Sequence, residues 1–363
     1  MHQPRKLENE YFKLLTRYGL PLPRPMSEIS GSVYKQIVSE MKNKYGDRID
    51  GKPIEDIARQ LLESKEVGLG GAIGELSMSI ERGIKELKQE LQIDVYAGEF
   101  PTGSFNAIAV PVAGGALLLL NTGLMMFLHK VMKIMTLSMV AAKFDETGNP
   151  IEGTESEISG YSHQEIIDIL AELVLTYLHC QSPYSARRLP IIGGAKGNVH
   201  ALLLKYCEMF CLAHEYGHAI GGHLNTSQSL ITSTNEVEIE VIPKQWEQEF
   251  EADVIAVNVM FASLDYSLGQ QKTLLNVQGI VAAPLIFFAL DNLVTRVTKE
   301  VARLHGSQLP EPLTHPPSNL RSENVREFIK GSGNEGIFSL ANVMVSWIEA
   351  MEDSVIQRIA ELT

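Results

Sequence analysis

The chain has 363 residues, of which 45% are hydrophobic and 21% charged, the balance of a folded globular protein with one large domain or two smaller ones. Its formal charge of -13 repels a phosphate backbone, so we expect no nucleic-acid partner. The three cysteines cannot form a complete set of disulfides, which suits a reducing compartment.

The N-terminus is polar and has no apolar stretch of the kind that a secretory signal needs, so we expect a cytoplasmic location. Residues 100–128 carry no charge and are long enough to cross a membrane, but prolines and glycines interrupt them. A second apolar run, residues 279–290, is too short to cross and contains Pro284. Membrane insertion is therefore not expected, although anchoring through residues 100–140 stays an alternative.

Residues 1–91 are predicted to form a helical accessory region that caps or regulates the rest of the chain. Prolines at 21–25 and glycines at 68–71 separate its periodic segments. Hydrophobic periodicity predicts four helices, namely Lys6–Tyr18, Ser27–Lys44, Ile54–Glu63 and Ala72–Leu91.

The second predicted region, residues 92–363, begins with a small sheet. Glycine and proline turns separate its three β-like runs, Ile93–Gly98, Ser104–Pro111 and Ala116–Gly123. Helical periodicity returns in a predicted insertion at about residues 125–198, where an acidic loop divides the helices Leu124–Lys143 and His163–Cys180.

The remaining helices follow in order, with the Gly221–Gly222 pair ending the first of them. They are Val199–Gly221, Lys244–Leu264, Lys272–Leu304 and, after a proline-rich stretch, Gly336–Leu362.

The first of these helices carries the string HEYGH, residues 214–218. Helical spacing places His214 and His218 one turn apart on one face, so both imidazoles can reach one ion. A catalytic zinc site needs a third protein ligand, and Glu249 on the next helix can supply it. Asp253, four residues later, can accept a hydrogen bond from the outer nitrogen of a ligand histidine.

Glu215 is displaced around the helix so that it faces the water at the site rather than binding the metal. We expect it to act as general base, first taking a proton from this water and then passing it to the leaving amine. The natural reaction is zinc-dependent hydrolysis of a peptide bond, with one Zn2+ per chain and a protein or peptide as substrate.

Two other interpretations of these residues stay open. The zinc site can be a structural staple in a non-catalytic binding protein, or HEYGH can be accidental. Cys207 and Cys211 share the face of the histidines and can in principle bind metal, but free cysteines usually behave as small buried hydrophobes. His223 is expected to point away from that face, and His200 lies too far along the helix, so both are read as ordinary polar histidines.

These motifs resemble the gluzincin family that includes the HtpX-like heat-shock proteases and the CaaX prenyl proteases. EFEAD, residues 249–253, matches the family's ligand segment, and residues 105–124 look like its strand pair. THPPSNLR is similar to its late segment, in which an Arg, here Arg321, follows six residues after a His, here His315.

The resemblance implies that His315 helps to stabilise the transition state. It also implies that an edge strand binds an extended substrate by strand addition. The residues of this expected edge strand are Asn106, Ala107, Ile108, Ala109 and Val110.

The predicted fold class is therefore mainly α (α+β), a helical gluzincin-type metallopeptidase with a small β-sheet whose edge strand flanks the active-site cleft. Two departures from the family matter. About ninety residues separate Gly123 from His214, a longer interval than is usual, and the family's membrane-spanning helices are not evident. The sequence does not indicate an oligomeric state.

Overall fold

The structure is a computed structural model. Its described strands form three separate sheets. It describes residues 4–20, 69–138, 161–180, 186–190, 192, 194–224, 230–234, 237–241, 245–267, 274–307, 315–331 and 335–363, with positions 38, 39, 42, 48, 49, 52, 53 and 55. The strands are β1 (Arg48–Ile49), β2 (Lys52–Pro53), β3 (Val95–Phe100), β4 (Ala107–Val112), β5 (Gly115–Asn121), β6 (Leu230–Thr234) and β7 (Val237–Val241).

Strands β3, β4 and β5 form a mixed sheet in the order β3-β5-β4. The central strand β5 runs parallel to β3 and antiparallel to β4. β1 pairs with β2 and β6 with β7 as small antiparallel hairpins, and β7 lies beside β4. Strand β4 is thus an edge strand of the three-stranded sheet.

Helices make up most of the described chain. They are α1 (Pro4–Arg17), α2 (Leu69–Glu86), α3 (Thr122–Ser138), α4 (His163–Cys180), α5 (Gly194–Ile220), α6 (Trp246–Ser267), α7 (Leu274–Leu304), α8 (Ser318–Lys330) and α9 (Ser339–Leu362), with a 3-10 turn at Glu335–Phe338. The prediction of a mainly α fold with a small sheet is confirmed.

The apolar core lies largely among the helices. Helix α7 is its centre, because it packs against α5, α8 and α9. α7 is the one described helix that is long and apolar enough to cross a membrane, and 67% of its most apolar window is buried inside the fold. Its hydrophobic length is therefore accounted for by packing against the other helices.

The first and second helices both pack onto the rest of the protein. Leu7, Tyr11 and Leu15 of α1 pack on one face of the sheet. Together with the sheet residues beneath them they form a small apolar cluster, separate from the main core. The buried side of α2, which includes Ile80, belongs to the main core, and α2 packs along α6. The division at residues 91 and 92 into an accessory region and a peptidase domain stays a prediction.

The structure differs from the sequence prediction in two elements. Helix α8 lies where only a proline-rich stretch was expected, and it begins directly after Pro316 and Pro317, residues that suit the start of a helix. The β6–β7 hairpin also lies between two predicted helices. The predicted helices Ser27–Lys44 and Ile54–Glu63 fall largely outside the described residues.

Candidate active site

Three side chains from two helices converge on one point. His214 and His218 lie one turn apart on α5, and Glu249 lies in the first turn of α6. The Nε2 atoms of the two histidines are 3.1 Å apart, and each is 3.3 Å from an oxygen of Glu249. Among the described residues, this is the one group of three potential ligands that lie close enough together to hold a metal ion.

The donor atoms of this cluster fit a zinc ion. Both oxygens of Glu249 are buried, and no hydrogen bond of normal geometry reaches them within the described part of the chain. A buried carboxylate without such bonds is costly unless a cation satisfies it, and the guanidinium of Arg321 on α8, 3.5 Å from Oε2, is shared with Asp253. Donors that share a tetrahedral zinc at about 2.0–2.1 Å are roughly 3.3 Å apart, which agrees with the spacing observed here.

Asp253 holds His214 from the side opposite the cluster. Its Oδ1 lies 2.8 Å from Nδ1 of His214. Arg321 of α8 donates to both oxygens of Asp253, over 2.8 and 2.6 Å, and its guanidinium also lies over the ring of Phe288. This arrangement fixes the orientation of His214, with its Nε2 toward Glu249.

Opposite charges in the buried cluster stabilise the ionised forms of its side chains. Burial disfavours ionisation of Asp253, but the charge of Arg321 outweighs burial and holds the pKa of Asp253 below its usual range. Burial likewise opposes protonation of His214, yet the neighbouring Asp253 carboxylate raises the pKa of His214 to about 9. Burial also opposes ionisation of Glu249, and contacts with His214 and His218 lower its pKa nevertheless.

His223 contacts the second histidine, so the expectation that it points away was wrong. Its Nδ1 lies 2.9 Å from Nδ1 of His218, and its Nε2 lies 3.1 Å from Glu251. That expectation applied helical spacing as far as residue 223, past the predicted end of the helix. The structure instead ends α5 at Ile220 and turns the chain at Gly222, whose positive φ of 74° brings His223 back to the helix.

The two ligand-bearing helices touch at Gly217. A Cβ atom at this position would lie 2.7 Å from the carbonyl oxygen of Ala252, so only glycine allows the approach. On another face of α5, the buried hydroxyl of Tyr216 lies 2.6 Å from Ser77 and donates to Glu81 over 3.0 Å. Helix α2 therefore also supports the helix that carries the histidines.

A cavity of about 280 Å³ lies beside the cluster. His214 and Glu215 form part of its wall, and Glu215 is otherwise buried. Asn106 and Ala107, at the start of the expected edge strand, line it as well. The side chains of the next three residues are buried in the core instead, and these are Ile108, Ala109 and Val110.

His315 lies at the rim of the same cavity. Its Nδ1 is 2.9 Å from Oε2 of Glu249, while 41% of its side chain is exposed. The residue thus touches a predicted metal ligand, and it also faces the space where a substrate would bind.

Neither Cys207 nor Cys211 belongs to the cluster. Cys207 is buried, and its thiol donates to the carbonyl oxygen of Ala283 over 3.7 Å. Burial raises the pKa of both thiols, which keeps them protonated and disfavours the thiolate form that binds metal. They behave as small buried hydrophobes.

Sequence reasoning missed several residues of the site. It gave Arg321 no role of its own, although the resemblance singled out its position. It also missed Phe287 and Asp291, which line the cavity from α7. The available signal was an acidic residue, Asp291, directly after the apolar run 279–290.

Comparison with known proteins gives one match. Residues 195–341 match the model of the family described as Peptidase U49. This segment begins in α5 and extends into α9, so it contains the three clustered side chains and Arg321. The match supports a peptidase that acts on proteins or peptides. No curated protein and no solved structure matches the chain, and the resemblance to the HtpX-like and CaaX proteases stays a prediction.

Proposed function

We propose that the chain is a zinc-dependent endopeptidase with one Zn2+ per chain, and that it acts in the cytoplasm. His214, His218 and Glu249 are the proposed ligands. The observation that carries the proposal is that these three buried donors converge beside a cavity whose wall includes Glu215. A purely structural site does not need a carboxylate in that position.

Zinc, when bound, would lower the pKa of a water toward about 7 and polarise the carbonyl under attack. Glu215 accepts the proton of the attacking water and then delivers it to the nitrogen of the leaving amine. It suits both roles because it follows a proposed ligand directly in the chain and reaches the cavity wall.

Neighbouring residues position these groups. Arg321 holds Asp253, and Asp253 fixes the tautomer and direction of His214. His315 is the proposed donor to the oxygen of the attacked carbonyl, because it lies at the cavity rim with part of its ring exposed.

The main chain of the edge strand is the proposed guide for an extended substrate. Residues Asn106 to Val110 begin at the cavity and continue along β4, the edge of the sheet. A peptide paired with this edge would gain main-chain hydrogen bonds, and the cavity would then receive one of its side chains.

Metal analysis of the purified protein tests the zinc site. We expect one zinc per chain in the wild type and a loss of zinc in His218→Ala. His305→Ala is the matched control, because His305 is exposed beyond the end of α7. A wild-type protein that does not bind zinc when it is supplied contradicts the proposal.

Chelation separates a catalytic zinc from a structural staple. A catalytic site should lose peptide hydrolysis on chelation and regain it when zinc is restored, while much of the fold persists. A staple should unfold on chelation, and its intact form should show no hydrolysis. Circular dichroism and a peptide-cleavage assay on the same samples distinguish the two outcomes.

A further inference from the structure

Part of the cavity lining, which adjoins His214 through the ring of Phe210, combines aromatic rings with a carboxylate. Its members are Leu124, Phe105, Phe210, Phe287 and Asp291, and we call it the aromatic–acidic pocket. The whole cavity of about 280 Å³ is small for a ligand site, since such sites span roughly 300–1,000 Å³. Its size therefore suits a side chain of a substrate rather than a large cofactor.

The carboxylate and the rings are held in fixed positions. Phe287 and Asp291 are four residues apart on α7, so they project from the same face of that helix. The ring of Phe287 stacks on that of Phe105, with centroids 5.7 Å apart and planes 8° from parallel. Ser318 of α8 donates a hydrogen bond to Oδ2 of Asp291, which orients the carboxylate.

The charges around the cavity favour a cationic group. Four carboxylates lie in or directly behind its wall, those of Glu215, Glu249, Asp253 and Asp291. Arg321 is the one arginine or lysine in the described lining, and its guanidinium is bound to Asp253 through two nitrogens and lies 3.5 Å from Glu249. Even with a divalent ion present, these groups leave a net negative charge.

We propose that the aromatic–acidic pocket binds the side chain of an arginine or lysine next to the bond that is cleaved, which makes substrates with a basic residue the preferred class. This inference rests on the proposed peptidase function. The charged head pairs with Asp291, while the hydrocarbon stem packs along Phe105 and Phe287 and the cation lies near their rings. The overall charge of -13 would also attract basic segments toward the protein.

A purely apolar side chain fits the rings but not the carboxylate. It would displace water from Asp291 and bring no opposite charge in its place, which is costly because Arg321, the cation that interacts with Asp291, is already bound to Asp253. A basic side chain removes this cost. The presence of Asp291 among the rings therefore decides between the two substrate classes.

Two synthetic peptide pools test the proposal. They have mixed flanking residues and are identical, except that the central residue is arginine in one and citrulline in the other. Citrulline keeps the shape of arginine and removes its charge. The intact 363-residue chain, loaded with zinc, should cleave the arginine pool within three residues of the centre, with kcat/KM at least tenfold higher than for citrulline.

Variants then assign the preference to the carboxylate. Asp291→Asn should lower kcat/KM for the arginine pool at least tenfold and abolish the ratio between the arginine and citrulline pools. Ser318→Ala controls for loss of the hydrogen bond without a change of charge. Asp353→Asn controls for net charge, because Asp353 is 89% exposed on α9 and does not line the cavity.

Binding provides a second measurement that does not depend on turnover. Fluorescence anisotropy with Glu215→Gln protein should show tighter binding of the arginine pool than of the citrulline pool, and Asp291→Asn in that background should abolish the difference. Equal affinity for both pools overturns the pocket assignment. Failure to cleave either pool counts against the peptidase function instead, and the binding comparison still decides the pocket.

Discussion

Replacing Gly217 with alanine tests how closely the two ligand-bearing helices must approach. The added Cβ atom would lie 2.7 Å from the carbonyl oxygen of Ala252 and 3.0 Å from its Cα atom. Ordinary van der Waals contact begins at 3.4 Å, so α5 and α6 must separate by about 0.7 Å. The added Cβ atom is attached directly to the backbone of α5, and the atoms that it meets belong to the backbone of α6. Neither can rotate away as the end of a flexible side chain can.

The separation has two consequences of different size. Overpacking costs roughly 1–3 kcal/mol of folding free energy, partly offset by up to about 1 kcal/mol from the higher helix propensity of alanine. Metal binding should suffer more, because zinc ligands must keep their distances within about 0.2 Å. We expect the dissociation constant for zinc to rise at least tenfold, since Glu249 moves with α6 relative to His214 and His218.

Gly74→Ala is the matched control. A Cβ atom at Gly74, within α2, meets no atom within 4 Å, so this variant should gain about 0.5–1 kcal/mol from helix propensity alone. Urea unfolding midpoints and a competitive zinc titration should be measured for both variants and the wild type. A Gly217→Ala protein that binds zinc as tightly as the wild type refutes the reasoning from close helix contact.

Three further predictions concern polar groups that are buried or partly buried. Burial raises the pKa of Glu208 from 4.5 to about 7, so the cost of ionising this carboxyl in the folded protein grows as the pH rises through this range. Glu208→Gln should therefore stabilise the protein by up to about 3 kcal/mol at pH 8 and by almost nothing near pH 4.5. Arg321→Gln removes the partner of buried Asp253 and should cost about 3–5 kcal/mol, which a thermal unfolding scan detects. His223→Leu removes the contact to His218 and should weaken zinc binding roughly 10–100-fold by titration.

Controls for these variants come from exposed positions. Glu90→Gln removes one formal charge at the surface and controls for net charge in the pH comparison, and His179→Ala removes an exposed histidine. An equal gain for Glu208→Gln at both pH values contradicts the burial argument. If Arg321→Gln unfolds at the wild-type temperature, Arg321 does not stabilise buried Asp253. If His223→Leu binds zinc as tightly as the wild type, the contact between His223 and His218 does not support zinc binding.

The sequence predicts those parts of the site that depend on spacing within one helix. The four-residue interval between His214 and His218 places both on one face, and the interval between Glu249 and Asp253 does the same on α6. The pattern of apolar residues likewise predicts most helices and the three-stranded sheet. These are local properties, so a single sequence reveals them.

Contacts between distant segments were not predictable in the same way. The partnership of Arg321 with Asp253 joins residues 68 positions apart through a helix, α8, that the proline-rich pattern concealed. His223 returns to His218 because the chain reverses after Ile220, which a helical projection cannot describe. The position of Asp291 in the cavity depends on how α7 packs against α5, and only the three-dimensional arrangement shows it.

Peptide hydrolysis by zinc-loaded Glu215→Gln, compared with the zinc-loaded wild type, tests the central claim most directly. Glu215 is the proposed base and not a ligand, so the variant should keep one zinc per chain and the wild-type unfolding midpoint while losing at least 100-fold in kcat. Measuring bound zinc in the assayed samples shows that the loss is not one of metal. A variant that contains zinc and cleaves peptides at the wild-type rate contradicts the assignment of Glu215 and, with it, the proposed mechanism.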